Sequence, residues 1–178
     1  MQPLPKENIA RKLLLSSIFL ICVFLFFGIY TLWDNRTLSS LTRTIYNHPL
    51  VVSNASLRAN IAITKMHRNM KDVVLFQDQN RIQSSIHKAN AEEGEVYLYL
   101  NIVRDTILGD EGQALERKAR ELFSDWKIIR EEVIGLVRSG DREKAAEITI
   151  GKGAAHVAVL ESQMLGLTNY ARNKATLF

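Results

Sequence analysis

The sequence is poor in residues that cross-link or interrupt a chain: its 178 residues include one cysteine, three prolines and nine glycines. A single cysteine cannot form a disulfide within the chain, so a disulfide-stabilised fold is excluded. Because the chain is 47% apolar, low-complexity disorder is also excluded. The chain is long enough for one domain with a hydrophobic core.

An excess of charge of one sign is also missing, since 23 basic residues stand against 19 acidic ones. Lys6, Arg11, Lys12 and Glu7 precede residue 13, and without them 20 basic and 18 acidic residues remain, a net charge of +2. A net charge this small does not indicate the basic surface of a nucleic-acid-binding domain. We therefore expect no nucleic acid partner.

Motifs of catalysis and cofactor binding are absent from the sequence. Covalent haem needs Cys-x-x-Cys-His, and a di-iron bundle needs Glu-x-x-His pairs; neither occurs. There is no phosphate-binding glycine loop and no Gly-x-Ser-x-Gly. The histidines are isolated from one another at His48, His67, His87 and His156. We expect no enzyme activity, no metal and no cofactor within this chain.

A long uncharged run does occur, LLLSSIFLICVFLFFGIYTLW at residues 13–33. At about 1.5 Å per residue this run spans roughly 30 Å, the thickness of a bilayer's hydrocarbon core. The alternative is a cleaved signal peptide, but residues 30–34 offer no small-x-small cleavage site. Because Arg11 and Lys12 flank the start, we predict a transmembrane helix with residues 1–12 in the cytoplasm and residues 34–178 outside.

The remaining residues show the heptad spacing of packed helices, with turn residues clustered near residues 77–80, 109–112 and 139–141. Glu93 interrupts the second of four apolar seams, whereas Ala146, Ile150, Gly153 and Val157 continue the fourth. We predict an all-α fold in which the transmembrane helix continues into an antiparallel up-down-up-down four-helix bundle. Its helices should cover residues 34–76, 82–108, 111–138 and 141–178, and the longer first and fourth helices should form a stalk, with a kink at Pro49.

Five stretches resemble a known family: HPLVVSNA at 48–55, MHRNMKD at 66–72, FSDWKIIREEV at 123–133, GKGAAHV at 151–157, and YARNKA at 170–175. They are similar to the four-helix-bundle sensory domain of methyl-accepting chemotaxis receptors and of related sensor kinases and diguanylate cyclases. The resemblance implies a homodimeric extracytoplasmic sensor in a bacterial inner membrane, which detects a small ligand or a periplasmic binding protein. Such receptors have a second membrane helix and a cytoplasmic output domain, so we expect this chain to be a fragment.

Candidate ligand-binding residues follow from the same resemblance, in which basic residues of the first helix and polar groups of the fourth hold a small anion at the dimer interface. Here they are Asn54, Arg58, Lys65, Arg68 and Thr149. An arginine can hold a carboxylate through two hydrogen bonds, and a lysine adds a point charge. The alternative is that these residues form a solvent-exposed helix face, on which charged side chains pair with each other, such as Arg68 with Asp72.

Signal transmission is expected to use a lengthwise shift of the fourth helix of about 1–2 Å, the size of step by which packed helices move. The small residues from Gly151 to Ala155 would let a neighbouring helix approach closely there. The alternative function is a membrane-anchored helical adaptor that binds a periplasmic protein and no small molecule.

Overall fold

The computed structural model describes the backbone of residues 6–176 and the side chains of residues 11–31 and 48–176. The chain divides into two compact units, residues 1–43 and residues 44–178. Each unit is described separately below. The predicted stalk includes residues 34–47, whose side chains lie outside the described residues.

The first unit consists of one helix, α1 (Lys6–Ile45), which extends two residues beyond the unit's boundary. Within α1, the stretch Arg11–Thr31 is long and apolar enough to cross a membrane, and none of it is buried. The hydroxyl of Ser16 donates to the Leu13 carbonyl at 2.9 Å, and that of Thr31 donates to the Phe27 carbonyl at 2.8 Å. These hydroxyls are therefore satisfied within the helix, as a lipid environment requires.

The second unit is a four-helix bundle, which confirms the predicted fold class. It opens with a π turn at Tyr46–Leu50, followed by α2 (Val51–Leu75), α3 (Gln79–Thr106) and α4 (Asp110–Ser139). The fourth bundle helix has three parts: α5 (Arg142–Ile148), a π turn at Thr149–Gly153, and α6 (Ala154–Ala175). The described backbone contains no strand. Short loops make successive helices antiparallel, as expected for this topology.

The loops between helices use side-chain caps and glycine. Asp78 begins α3 by accepting a hydrogen bond from the Arg81 backbone N–H at 2.9 Å, and Asp141 caps α5 in the same way. Gly140 ends α4 in the left-handed conformation, with φ of +91°. Arg142 then donates through Nη1 to the carbonyls of Val74 and Phe76, at 2.9 and 2.6 Å. This end of the bundle, where Phe76 and Gly140 lie, is called the Gly140 end.

The opposite end is called the Pro49 end and is closed by Tyr170. Its hydroxyl donates to the Leu108 carbonyl at 2.7 Å. Pro49, Leu108 and Tyr170 line one small cavity, so Pro49 does lie level with the loop between α3 and α4. Because proline has no backbone N–H, it cannot complete an ordinary helical turn, and here the helix adopts a π turn.

The hydrophobic core is divided into two blocks. The larger block lies towards the Pro49 end and includes Ala59, Met66, Leu100, Trp126 and Leu160. The smaller block lies towards the Gly140 end and includes Met70, Val73, Ile82, Val133 and Ala145. The seams predicted on the first and second helices are confirmed, since their apolar members are buried.

The predicted seam of the fourth helix is wrong at Ala146 and Ile150 and correct from Gly153 onward. Ile150 is 73% exposed, whereas Ala145 and Thr149, which were not in the predicted seam, are buried. The reason is the π turn, which adds one residue to a helical turn and shifts the buried face. Buried positions therefore recur every four residues from Ala145 to Val157, and the alternating pattern begins only beyond them.

Candidate functional site

Two of the predicted ligand-binding residues, Arg58 and Lys65, lie in a groove between α2 and α3. This α2–α3 groove has a volume of about 600 Å³ and is lined by Arg58, Ile61, Lys65, Glu92, Glu95 and Tyr99, above a floor at Ala62. It is open to solvent along its length.

The cations in this groove already have partners. Lys65 Nζ lies 3.2 Å from Glu92 Oε1. Arg58 donates to the Tyr99 hydroxyl at 3.5 Å, and its guanidinium lies 5.9 Å from the centre of the Tyr99 ring. The hydroxyl of Tyr99 raises the pKa of Arg58, which therefore stays charged. A small anion bound to Lys65 would therefore compete with Glu92.

Asn54 and Arg68 lie outside this groove. Asn54 lines a second groove of about 240 Å³, between α2 and α6, together with Leu57 and Arg172. Arg68 is exposed, and no ion pair to it is found within residues 48–176. The exposure of Arg68 agrees with the alternative interpretation of a solvated face, although the pair of Arg68 with Asp72 does not form.

Thr149 is buried and points into the bundle. Its hydroxyl donates to the Ala145 carbonyl at 2.7 Å within the fourth helix. It also lines a small cavity between α2, α4 and the π turn, together with His67 and Arg130. The five predicted residues thus occupy several separate places, and the structure of this single chain does not bring them together.

A buried ion pair was missed from the sequence. Arg130 on α4 is 4% exposed, and its Nη2 lies 2.9 Å from Glu93 Oε2 on α3, without the alignment of a hydrogen bond. Lys127 approaches the other oxygen of Glu93 at 3.5 Å. The signal was present in the sequence, because a carboxylate in an apolar seam requires a cation on a neighbouring helix.

This ion pair belongs to a level at which all four bundle helices contribute polar groups. This level lies between the two core blocks and is called the polar layer. It consists of His67 on α2, Glu93 on α3, Arg130 on α4 and Thr149 in the π turn. Burial lowers the pKa of His67, with a further contribution from Lys71 and a partial offset from Glu161. His67 is therefore neutral at pH 7.

Comparison with protein families gives a match that covers nearly the whole chain. The profile of a four-helix-bundle sensory module for signal transduction matches residues 6–178. No curated protein and no solved structure matches the chain. The match includes the apolar helix as well as the bundle, and its described role is sensory. This chain belongs to the family of four-helix-bundle sensory modules for signal transduction.

Proposed function

We propose that this chain is the extracytoplasmic sensor portion of a bacterial transmembrane signalling receptor. The observation that carries the proposal is the combination, in one member of a sensory family, of an exposed apolar helix at Arg11–Thr31 with a four-helix bundle. Arg11 and Lys12 at the start of that helix favour a cytoplasmic N-terminus in the inner membrane. The bundle then lies on the outer side, where it can meet a signal.

Cysteine labelling tests this topology. In a Cys22→Ala background, Ile128→Cys should react with a membrane-impermeant maleimide in intact spheroplasts, because Ile128 is 69% exposed on the bundle. Gln2→Cys, on the other side of the apolar helix, should react only after lysis. Labelling of Gln2→Cys but not of Ile128→Cys in intact spheroplasts would contradict the proposal.

The receptor is proposed to work as a homodimer. The outer surface of α2, together with the last residue of the π turn before it, carries a second heptad track, separate from the buried seam of α2. This track is called the outer seam: Leu50, Asn54, Leu57, Ile61, Thr64 and Arg68. All six side chains are exposed, and Ile61 is 56% exposed. Apolar residues at heptad spacing favour packing against a second helix, and α2 of a second copy meets that requirement.

A ligand site at this interface would use Asn54 and Arg68, which belong to the outer seam. Two copies would bring two Arg68 guanidinium groups to one surface, and a small carboxylate could bridge them. Isothermal titration of the full chain in micelles with a panel of small carboxylates tests this site. Arg68→Ala should abolish binding, whereas Arg138→Ala, an exposed arginine on α4, should leave it unchanged.

An adaptor that binds a periplasmic protein is the second candidate function. It is favoured by the internal pairing of Lys65 with Glu92, which occupies one of the two predicted ligand-binding cations of the α2–α3 groove. If no small carboxylate binds in the titration, and a periplasmic protein is captured by the full chain in an Arg68-independent manner, the adaptor is the better description.

The proposed signal is a lengthwise shift of the fourth helix. Gly153 is buried at the π turn, and a Cβ there would lie 3.0 Å from the Ile148 carbonyl oxygen, so a larger residue disturbs this turn. Gly153→Leu should lock or abolish ligand-dependent output, with export unchanged, when the chain is joined through a second membrane helix to a reporter kinase. Gly151→Leu is the matched control, because Gly151 has open space around it. A normal response in Gly153→Leu would count against the shift.

A further inference from the structure

Tyr170 joins the fourth helix to the loop between α3 and α4, which consists of residues 107–109 and is called the α3–α4 loop. Tyr170 lies on α6 and is 9% exposed. Its hydroxyl donates to the Leu108 carbonyl at 2.7 Å, the usual distance for a bond of this kind. The side chain therefore spans the space between α6 and the α3–α4 loop at the Pro49 end.

Two glycines leave the room that this side chain occupies. A Cβ at Gly109 would lie 2.9 Å from the Tyr170 hydroxyl oxygen, and a Cβ at Gly112 would lie 2.6 Å from Cε1 of the ring. Both distances are too short for nonbonded atoms. Gly112 is buried in the first turn of α4, where glycine is less favourable than alanine. A less favourable residue thus stands where the Tyr170 ring requires it.

This close fit fixes the position of α6 along its axis. The ring edge faces Gly112 and the hydroxyl faces the α3–α4 loop, so a lengthwise step of about 1–2 Å cannot leave both contacts unchanged. Such a step would press the ring against Gly112 or draw the hydroxyl away from the Leu108 carbonyl. Because packed interfaces change between discrete arrangements, the seated ring and the released ring are two separate states.

We propose that Tyr170 is a latch that keeps α6 in its resting position, and that the signal carried by this helix must release it. The proposal rests on the proposed lengthwise shift of the fourth helix and names the contact that opposes the shift. In the resting state the hydroxyl is bonded to Leu108 and the ring is seated against Gly112. The latch thus sets how much of the receptor population is shifted before a ligand binds.

Removal of the hydroxyl tests whether the latch exists. Tyr170→Phe keeps the ring and removes its hydrogen bond, so the α3–α4 loop should open more often. The amide hydrogens of Ile107 and Gln113, whose hydrogen bonds flank the loop, should exchange about three- to tenfold faster in the full chain in micelles. Tyr97→Phe is the matched control, because the Tyr97 ring packs against the larger core block. Equal exchange rates in the two variants would overturn the latch.

The signalling role is measured without ligand, in the chain joined through a second membrane helix to a reporter kinase. Tyr170→Phe should change the ligand-free output by about fivefold, since an ordinary hydrogen bond shifts a two-state equilibrium by about that factor. Gly112→Ala should change the output in the same direction, because the added Cβ displaces the ring. Gly135→Ala is its matched control and should keep the unmodified output, because Gly135 lies on the same helix with open space around it.

The results distinguish failure of the latch from failure of the shift on which it rests. If Tyr170→Phe exchanges faster but keeps the unmodified output, while Gly153→Leu alters the response as expected, the shift stands and the latch is overturned. If Gly153→Leu also responds normally, the shift fails and the latch fails with it. Opposite changes of output in Tyr170→Phe and Gly112→Ala would overturn the latch as well, because both substitutions release the same side chain.

Discussion

At the scale of single residues, the bundle depends on charges that its core cannot leave unpaired. The guanidinium of Arg130 also lies 5.4 Å from the centre of the Trp126 ring, so removal of Glu93 alone leaves this cation against an aromatic group in the core. Glu116 on α4 is a second buried carboxylate, 1% exposed, and Arg120 holds it through two hydrogen bonds of 2.7 and 2.9 Å. Glu93 lies in the seam that it was predicted to interrupt, whereas the burial of Glu116 was not predicted.

Replacing Glu93 alone should lower the free energy of unfolding more than replacing both Glu93 and Arg130. We expect Glu93→Leu to lower the free energy of unfolding by about 3 kcal/mol, because it leaves Arg130 buried and unpaired. The double variant Glu93→Leu/Arg130→Met should be markedly more stable than that single variant. Urea unfolding of the full chain in micelles, followed by circular dichroism, measures both.

The surface pair of Lys65 with Glu92 supplies the control for this prediction. Lys65 is half exposed, so Glu92→Leu should change the free energy of unfolding by less than about 1 kcal/mol. A double variant no more stable than Glu93→Leu would show that the ion pair is not what makes the single substitution costly.

His67 should make the stability of the bundle depend on pH. Because burial lowers its pKa below the ordinary value of 6.5, the folded protein binds fewer protons than the unfolded chain at mildly acidic pH. The contribution of His67 is therefore fully favourable above about pH 6.5 and is lost as the pH falls through that value towards the lower, folded pKa. His67→Gln should show a smaller fall in melting temperature between pH 7.5 and pH 5.5.

His87 is exposed on α3 and provides the comparison. His87→Gln should keep the pH dependence of the unmodified protein over the same interval. If His67→Gln keeps it as well, the acid sensitivity has another source.

At the scale of the elements, two glycines of α4 have different roles: Gly140 ends the helix and Gly135 lies within it. Gly140 has open space around it, but its φ of +91° strains any residue with a Cβ. Gly135 also has open space and lies within α4, where an alanine is favourable. Because a Cβ meets no neighbour at either position, a comparison of the two isolates the conformational strain at Gly140.

Alanine at these two positions should have opposite effects. Gly140→Ala should lower the free energy of unfolding by about 1–2 kcal/mol, and Gly135→Ala should raise it by roughly 0.5–1 kcal/mol. Thermal unfolding of both variants in the same micelles provides the measurement. Equal shifts of the same sign would mean that the left-handed conformation at Gly140 is not retained in solution.

The fourth helix shows how an element can depart from its sequence pattern. Its apolar residues continue a heptad track through Ile150, but the π turn rotates the chain so that Thr149 is buried and Ile150 is exposed. Lys152 is exposed on the same turn and lies 2.5 Å from Glu132 on α4. The extra residue in the turn thus decides which side chains meet the polar layer.

At the scale of the whole molecule, the outer seam of α2 predicts the contact between two copies. In a Cys22→Ala background, Ile61→Cys should form a disulfide-linked dimer in membranes on mild oxidation, because the two α2 helices would bring these positions together. Ile128→Cys, on the exposed surface of α4, should remain monomeric. Equal cross-linking at both positions would indicate random collision, and cross-linking only at Ile128 would place the interface elsewhere.

The sequence by itself determined the helical bundle, the apolar helix predicted at residues 13–33, the buried faces of α2 and α3, and the turns near residues 77–80 and 139–141. These features depend on spacing and turn preferences that each segment carries locally. Only the tertiary structure decided that Glu93 meets Arg130, that the fourth helix contains a π turn, and that Arg58 and Thr149 lie in separate places. Such features depend on how the helices rotate and pack against one another, and heptad spacing alone does not specify that rotation to the nearest residue.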